Sequence, residues 1–273
     1  MIPGSAATFG TAPMILRAAV LESIGVPHCF TTRRGGVSRG IFESLNFGNP
    51  SGIDAALRDR PGEIGRNFEL VLEELGVRGR QVVQVHQVHG CEVAVSGPGG
   101  AGGLDGKGMG SVQADAIVSE QAGEVVAVRV ADCCPVLLAS ADGGLVAAVH
   151  AGWRGCVAGV VASTVAMMRG RTSERLVAAI GPCIGPEHFE VGPEVAEAFY
   201  QVFGAATEVV SGERQGKAKV NLQAALRLQL GVLGVSDVET VEGCTYSRAD
   251  LYFSHRRDAG MSGRMVGLIG ARS

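Results

Sequence analysis

Neither sign of charge dominates this chain. Lysine plus arginine (24) and aspartate plus glutamate (27) leave a net charge of −3, so no basic field draws it to nucleic acid or to an anionic membrane surface. Long apolar runs are missing too: none approaches the roughly 18 consecutive residues of a membrane span. The opening "MIPGSAATFGTAPMILRAAV" has no basic start followed by a sustained apolar stretch, so no signal peptide is evident. Cysteines number seven, an odd and irregularly spaced set. That excludes a regular disulfide framework and points to a reducing compartment, where a thiol stays free or binds metal. The expected location is the cytoplasm and the expected partners are small molecules. The content of 46% apolar and 19% charged residues is that of an ordinary globular protein.

Glycine, by contrast, is plentiful at 41 residues, much of it between apolar runs, as in a fold with many turns. Strand-like runs occur at 82–86 (VVQVH), 125–130 (VVAVRV), 135–140 (PVLLAS), 145–150 (LVAAVH) and 175–181 (RLVAAIG). After Trp153, apolar residues recur at helical spacing through Val157, Val160, Val161, Val165 and Met168, ending at Arg169-Gly170. Ile64, Phe68, Val71, Leu72 and Leu75 form a second stripe stopped by Gly76, and weaker helices are expected at 194–203 and 221–233. Strands and helices interleave without the regular alternation of a doubly wound sheet, which predicts mixed α/β with antiparallel hairpins. The length of 273 residues suits one large domain or two small ones. No repeat or convincing linker divides it: residues 1–25 read as an N-terminal extension or first strand, and 26–273 as a single domain. The glycine tract 96–111 lacks the Ser or Thr and helix start that would follow the lysine of a P-loop, and reads as a flexible loop between strands.

One stretch, "VADCCPVLLASADGGLVAAVHAGWRG" (130–155), sets two apolar runs either side of Asp142-Gly143-Gly144. If Asp142 and Gly143 form a two-residue turn, residues whose numbers sum to about 285 lie opposite each other. His150 then faces Pro135, with Cys133 one alternate position further out, roughly 7–8 Å away between α-carbons and within side-chain reach. Pro135 cannot donate to a ladder, so a break there leaves Cys133 at a strand end. A cysteine beside a histidine admits three readings: core residues without chemistry, a nucleophile with its base, or two ligands of a metal. A third ligand would favour the last. The candidate is His89 in "QVHQVHG", with His86 as competitor; on a continuing strand, an interval of three puts the two rings on opposite faces.

The blocks "FTTRRGGVS" (30–38), "SLNFG" (44–48), "QVHG" (87–90), "ADAIVS" (114–119), "ADCCPVLL" (131–138), "AVHAGWRG" (148–155), "IGPCIGPEHFEVGPEV" (180–195) and "CTY…YFSHRRD…GR" (244–264) resemble the signature of one family. It was formerly called multicopper polyphenol oxidase, or laccase-domain proteins, and is now regarded as purine nucleoside phosphorylases. The resemblance implies a single catalytic domain with an α-β-β-α layered fold. It also implies a metal, usually zinc with copper as the alternative, held by His89, Cys133 and His150. Cys134 stands where the family generally has a non-ligating residue, and His86 is an additional histidine beside the motif, read as structural.

Three protein ligands leave a tetrahedral zinc one open position, the arrangement of catalytic sites. The implied reaction is phosphorolysis of adenosine, inosine, guanosine and 5′-methylthioadenosine, with adenosine deamination as a side activity. Phosphorolysis needs an anion anchor, a means of holding the ribose and a proton donor for the departing base. Arginine suits phosphate through its planar, permanently charged fork. Arg33 in "TTRRGG" is the first choice, followed by glycines that let amides approach an anion, and Arg34 is the second. Asn46 is a candidate for the ribose or for orienting Arg33, and Arg154 for phosphate; a turn asparagine and a surface arginine are the plainer readings. Trp153 is a purine-stacking candidate or simple packing. Asp115 is either an acceptor that fixes a histidine tautomer or a turn residue. The arginines of "SHRRD" (254–258) are expected to pair with its aspartate, and His188 and His255 receive no role.

Two other enzyme classes compete. A multicopper oxidase is disfavoured because one His₂Cys set, in a chain with six histidines in all, cannot hold several coppers. A metal-free cysteine hydrolase would use Cys133 as nucleophile and His150 as base. A zinc-stabilised binding module is the non-enzymatic alternative. The preferred purine, the physiological metal and the oligomeric state are left open by the residues alone.

Overall fold

Along the strand Cys134–Ser140, side chains alternate between two partners. Cys134, Val136 and Leu138 enter a core shared with helices, while Leu137 and Ala139 enter one shared with a second sheet. Both faces are buried, which is why the run reads as continuously apolar rather than alternating. The computed structural model describes residues 12–97, 112–204, 206, 208–214 and 216–272. The glycine tract expected as a loop at 96–111 therefore lies outside them, apart from its first two residues.

The strand sits near the middle of a six-stranded sheet, in the order Asp237–Thr240, Leu176–Ile180, Cys134–Ser140, Val146–Ala151, Ala116–Ser119, Val93–Val95. Its two outermost pairs are parallel and the rest antiparallel. The facing five-stranded sheet runs Ile15–Leu16, His28–Thr31, Met265–Ile269, Glu124–Val130, Gln81–Val83. Phe30, Val126, Val128, Val146, Ala148 and Ile269 fill the space between the sheets. Helices Trp153–Ala158, Val160–Arg169, Pro193–Phe203 and Leu222–Val232 cover the outer face of the larger sheet. Helix Pro61–Glu74 covers the smaller one through Phe68, Val71 and Leu72. The expected α-β-β-α sandwich with mixed sheets and antiparallel hairpins is what forms, with a small three-stranded sheet at its side (Glu190–Val191, Lys217–Val220, Val210–Arg214). From the N-terminal part, Ile15–Leu16 forms an edge strand, and Ala18 and Leu21 enter the inter-sheet core. No helix among the described residues is long and apolar enough to cross a membrane.

Two local expectations change. The helical stripe after Trp153 is two helices, broken where Gly159 takes a left-handed φ of 82°. The hairpin has the expected register, Pro135 opposite His150, but a four-residue loop, since the Ser140 amide still donates to the Leu145 carbonyl. Asp142 caps that loop by accepting from the Gly144 amide at 3.0 Å.

Candidate metal centre

His150 shares the inward parity of Val146 and Ala148, so its strand delivers the ring to the end of the inter-sheet layer, where the apolar filling stops. Cys133 precedes the neighbouring strand. Its position is set by Asp132, buried with a left-handed φ of 83°. A non-glycine residue holds that conformation only when its surroundings compensate for the strain. Here the Asp132 carboxylate accepts from Thr245 Oγ1 and the Arg256 amide, both at 2.6 Å, and its carbonyl from the Ile184 amide at 3.0 Å. Cys134 points the other way into the helix-side core, its Sγ 3.4 Å from the Gly181 carbonyl, and burial pushes its thiol well above the usual range. It is packing.

His89 arrives on a tight turn, again with a left-handed φ, 63°. The paired strand ends at Val83, so alternation does not govern which way this ring points. Asp115 governs it instead. One carboxylate oxygen of Asp115 accepts from the His89 amide at 2.9 Å and from His150 Nδ1 at 2.8 Å; the other accepts from the amides of Gly90 (2.6 Å) and Val88 (3.2 Å). A fully buried aspartate thus ties the His89 turn to the His150 ring. With Nδ1–H committed to Asp115, His150 turns Nε2 outward as the ligand atom. Burial would raise the Asp115 pKa, but the hydrogen bonds from His150 and the amides prevail and hold it below the ordinary carboxylate value.

Donor atoms of His89, Cys133 and His150 lie within 4.8 Å of one another. The two rings meet edge to face with centroids 4.8 Å apart. Burial pushes the Cys133 thiol up, but the charge and hydrogen bond of His150, reinforced by His89, outweigh it and bring the pKa down to about 6. The sulfur is therefore presented as thiolate at neutral pH, the form a metal requires. Burial opposes protonation of His150, and the Cys133 and Asp115 charges overcome it, so that imidazole sits above its usual value. Two imidazoles and a thiolate, open on one side, are the donor set of a catalytic zinc site. His89 is exposed, Cys133 half-buried and His150 buried, so solvent reaches the cluster from the His89 side.

Gly152 keeps this space open: a β-carbon there would sit 2.9 Å from Cys133 Sγ and 3.2 Å from His89 Cδ2. Gly152→Ala is expected to weaken zinc binding about tenfold or more, the scale on which displaced supporting contacts act, as read by competition against a chelator.

The other candidates make their own contacts. Arg33 stacks over Phe253, 4.4 Å from guanidinium carbon to centroid, and donates to the carbonyls of Glu43 (2.8 Å) and Ala249 (3.2 Å). Phe253 belongs to the small cluster that packs Cys133. Arg34 is exposed and bound to Asp250. Asn46 is fully buried, donating to Asp59 at 2.7 Å and accepting from the amides of Gly48 and Arg264. Arg154 lies over the ring of Trp153, which packs against the helix-side core. His86 is exposed and outside the ligand group. Arg257 pairs with Asp258 at 2.9 Å, and His188 stacks on Tyr246 at 4.5 Å.

Asp132, Thr245, Gln87, Arg129 and Arg264 were not singled out by spacing. Asp132 carried one signal, its place beside Cys133. Gln87 uses both ends of its amide on the Arg129 backbone (2.8 and 2.9 Å), acting as an extra rung between the His89 turn and the sheet.

A family model described as "Multi-copper polyphenol oxidoreductase laccase" matches residues 27–272. The chain is 37% identical over 258 residues to a purine nucleoside phosphorylase of Deinococcus radiodurans, covering 94% of this chain and 92% of that one. It is also 37% identical to purine nucleoside phosphorylase YfiH of Escherichia coli over 245 residues, 90% of this chain and 93% of that one. Among solved structures, YlmD from Geobacillus stearothermophilus superposes with a TM-score of 0.82 at 30% identity, covering 98% of both chains. Neisseria meningitidis protein NMB0706 gives 0.77 at 34%, covering 96% of this chain and 100% of that one. With its layered fold, its His-Cys-His cluster and likeness over nearly its whole length, the chain belongs to the polyphenol oxidoreductase laccase family whose curated relatives are named purine nucleoside phosphorylases.

Proposed function

We propose that the chain is a zinc-dependent purine nucleoside phosphorylase acting on adenosine, inosine, guanosine and 5′-methylthioadenosine, with adenosine deamination as a side activity. The observation that carries this reading is the convergence of His89, Cys133 and His150 within 4.8 Å at the open end of the sandwich, in a chain whose relatives bear the phosphorylase name. A divalent ion held there by His89, Cys133 and His150 would supply Lewis acidity.

The chain's own residues do the rest. Asp115 fixes the His150 ring and the His89 turn, so both imidazoles are preorganised before substrate arrives. Arg33, stacked on Phe253 of the cluster that packs Cys133, and Arg154, at the start of the helix after His150, are the side chains this reading assigns to the substrate. Asn46 serves the site through the Arg264 backbone that it holds at 2.8 Å. Incubating the purified protein with inosine is expected to release hypoxanthine only when phosphate is present; release without phosphate, or none, contradicts the proposal. Deamination is read separately, as ammonia formed from adenosine without added phosphate.

A second reading has one observation in its favour. The depressed Cys133 thiol beside His150 also suits a metal-free nucleophile and base. Chelation separates the two: a cysteine hydrolase keeps its activity, whereas the zinc enzyme loses it and regains it on reloading. The copper-oxidase description finds a single His/Cys group among the described residues, too few ligands for several coppers.

A further inference from the structure

Among the described residues, Arg129 is an arginine without a counter-charge. Its Nε is buried and has no hydrogen-bond partner, and no carboxylate pairs with it among the described residues. Burial and the neighbouring Arg264 guanidinium together push its pKa down to about 10. Two guanidiniums driven together in a poorly solvated place are unfavourable unless something negative joins them.

Alternation places the pair. Val126 and Val128 face the inter-sheet core while Val125 and Ala127 face helix Pro61–Glu74, so Arg129 falls on the helix side of its strand. Val266 and Leu268 share that face, which brings Arg264 to it as well. The Gly48 backbone closes over the pair: a β-carbon there would sit 3.2 Å from Arg129 Cδ and Nη1 and 3.8 Å from Arg264 Cγ. On the adjacent strand Val82 faces the same core and Val83 and Val85 the opposite one, so Gln84 is directed to the same side. Gln84 Nε2 is a second buried donor with no partner.

Arg264 lies within electrostatic reach of the metal centre. Arg264 feels the charges of Cys133 and Asp132. Gln87 clamps the Arg129 backbone two residues before His89. Arg33, favoured from the residues alone as the anion anchor, already has its guanidinium on two carbonyls and an aromatic face. Arg264 spends Nη1 on the Ser262 and Gly263 carbonyls at 2.8 and 2.9 Å, which leaves Arg129 the least committed of the three.

We infer that Arg129 and Arg264, with Gln84 on the same face, form an oxyanion seat within electrostatic reach of the metal centre. Resting on the phosphorylase reading above, the occupant is the phosphate co-substrate. A planar fork with an unspent Nε suits two phosphate oxygens at once, and the anion relieves the repulsion between the arginines.

The test uses inorganic phosphate on the full chain. Thermal unfolding is followed against phosphate concentration, with chloride holding ionic strength constant. Wild type is expected to rise in Tm with phosphate, and Arg129→Met to lose that rise while its phosphate-free Tm stays level or increases. Arg129→Lys, which keeps charge but not the fork, is expected to weaken phosphate about tenfold and serves if the methionine variant does not fold. In turnover, the KM for phosphate is expected to rise about tenfold or more in Arg129→Lys while the nucleoside KM changes less than about twofold. Equal phosphate response in wild type and Arg129 variants, or no response in wild type, overturns the seat. Arg129-dependent phosphate binding without purine release would leave the seat standing and reject the phosphorylase reading. Purine release with an unchanged phosphate KM in the variants would do the reverse.

Discussion

Replacing Cys133 with alanine removes activity by about four orders of magnitude or more, the scale on which loss of an indispensable active-site group is measured. The variant still folds. Cys133 is half-buried at the edge of a small apolar cluster, beyond the end of its strand, and the sheet hydrogen bonds begin one residue later. Far-ultraviolet circular dichroism should therefore be unchanged while zinc content falls to background. An alanine variant that keeps its metal and its turnover would remove the thiolate from the site. Cys134→Ala gives the opposite pattern: it points into the helix-side core, so its effect falls on stability, with metal content retained.

Asp115→Asn has the second largest effect, because that carboxylate holds both the His150 ring and the His89 turn of the proposed ligand set. Its two oxygens accept four hydrogen bonds, from three amides and the His150 ring. An amide of the same shape turns one acceptor into a donor, so either His150 Nδ1 or the 88–90 turn loses its partner. Metal affinity is expected to fall about 10- to 100-fold, with a stability loss of about 2–3 kcal/mol from buried groups left unpaired. The pH dependence carries its own signature. The folded-state pKa of Asp115 lies below the ordinary carboxylate value, so its stabilisation is present above the unfolded value of about 4 and is lost as pH falls through the folded one. Urea unfolding from neutral pH downward should show that acid loss in the wild type and less of it in Asp115→Asn. Identical profiles and unchanged zinc affinity would show that the carboxylate does not orient the site.

The parts of this molecule legible in the sequence are those governed by local period. A turn at Asp142-Gly143 and two apolar runs suffice to set His150 opposite Pro135, because hairpin register is a local property. The helical stripe from Ile64 likewise forms one helix against one sheet. What alternation cannot reach is backbone held by distant partners. His89 and Asp132 both adopt left-handed conformations that neither residue favours alone, stabilised by Asp115, Thr245 and Arg256 from elsewhere in the chain. "ADAIVS" shows a strand start, and nothing local marks its aspartate as the hub of two ligand histidines. Arg129 hides for a related reason. In "VVAVRV" it looks like a solvent-facing residue interrupting an apolar run, and only the opposing Arg264 and the Gly48 backbone make it a half-buried charge with a buried Nε. The helix break at Gly159 is similar, since the apolar stripe continues across it unaltered.

X-ray absorption combined with elemental analysis of the purified chain decides whether His89, Cys133 and His150 hold a zinc ion. One zinc ion per chain is expected, with one sulfur at about 2.3 Å and two nitrogens at about 2.0 Å in its coordination shell, and with the ion and the sulfur both lost in Cys133→Ala. A fully active chain containing no stoichiometric metal, or an ion with no sulfur ligand, would contradict that assignment.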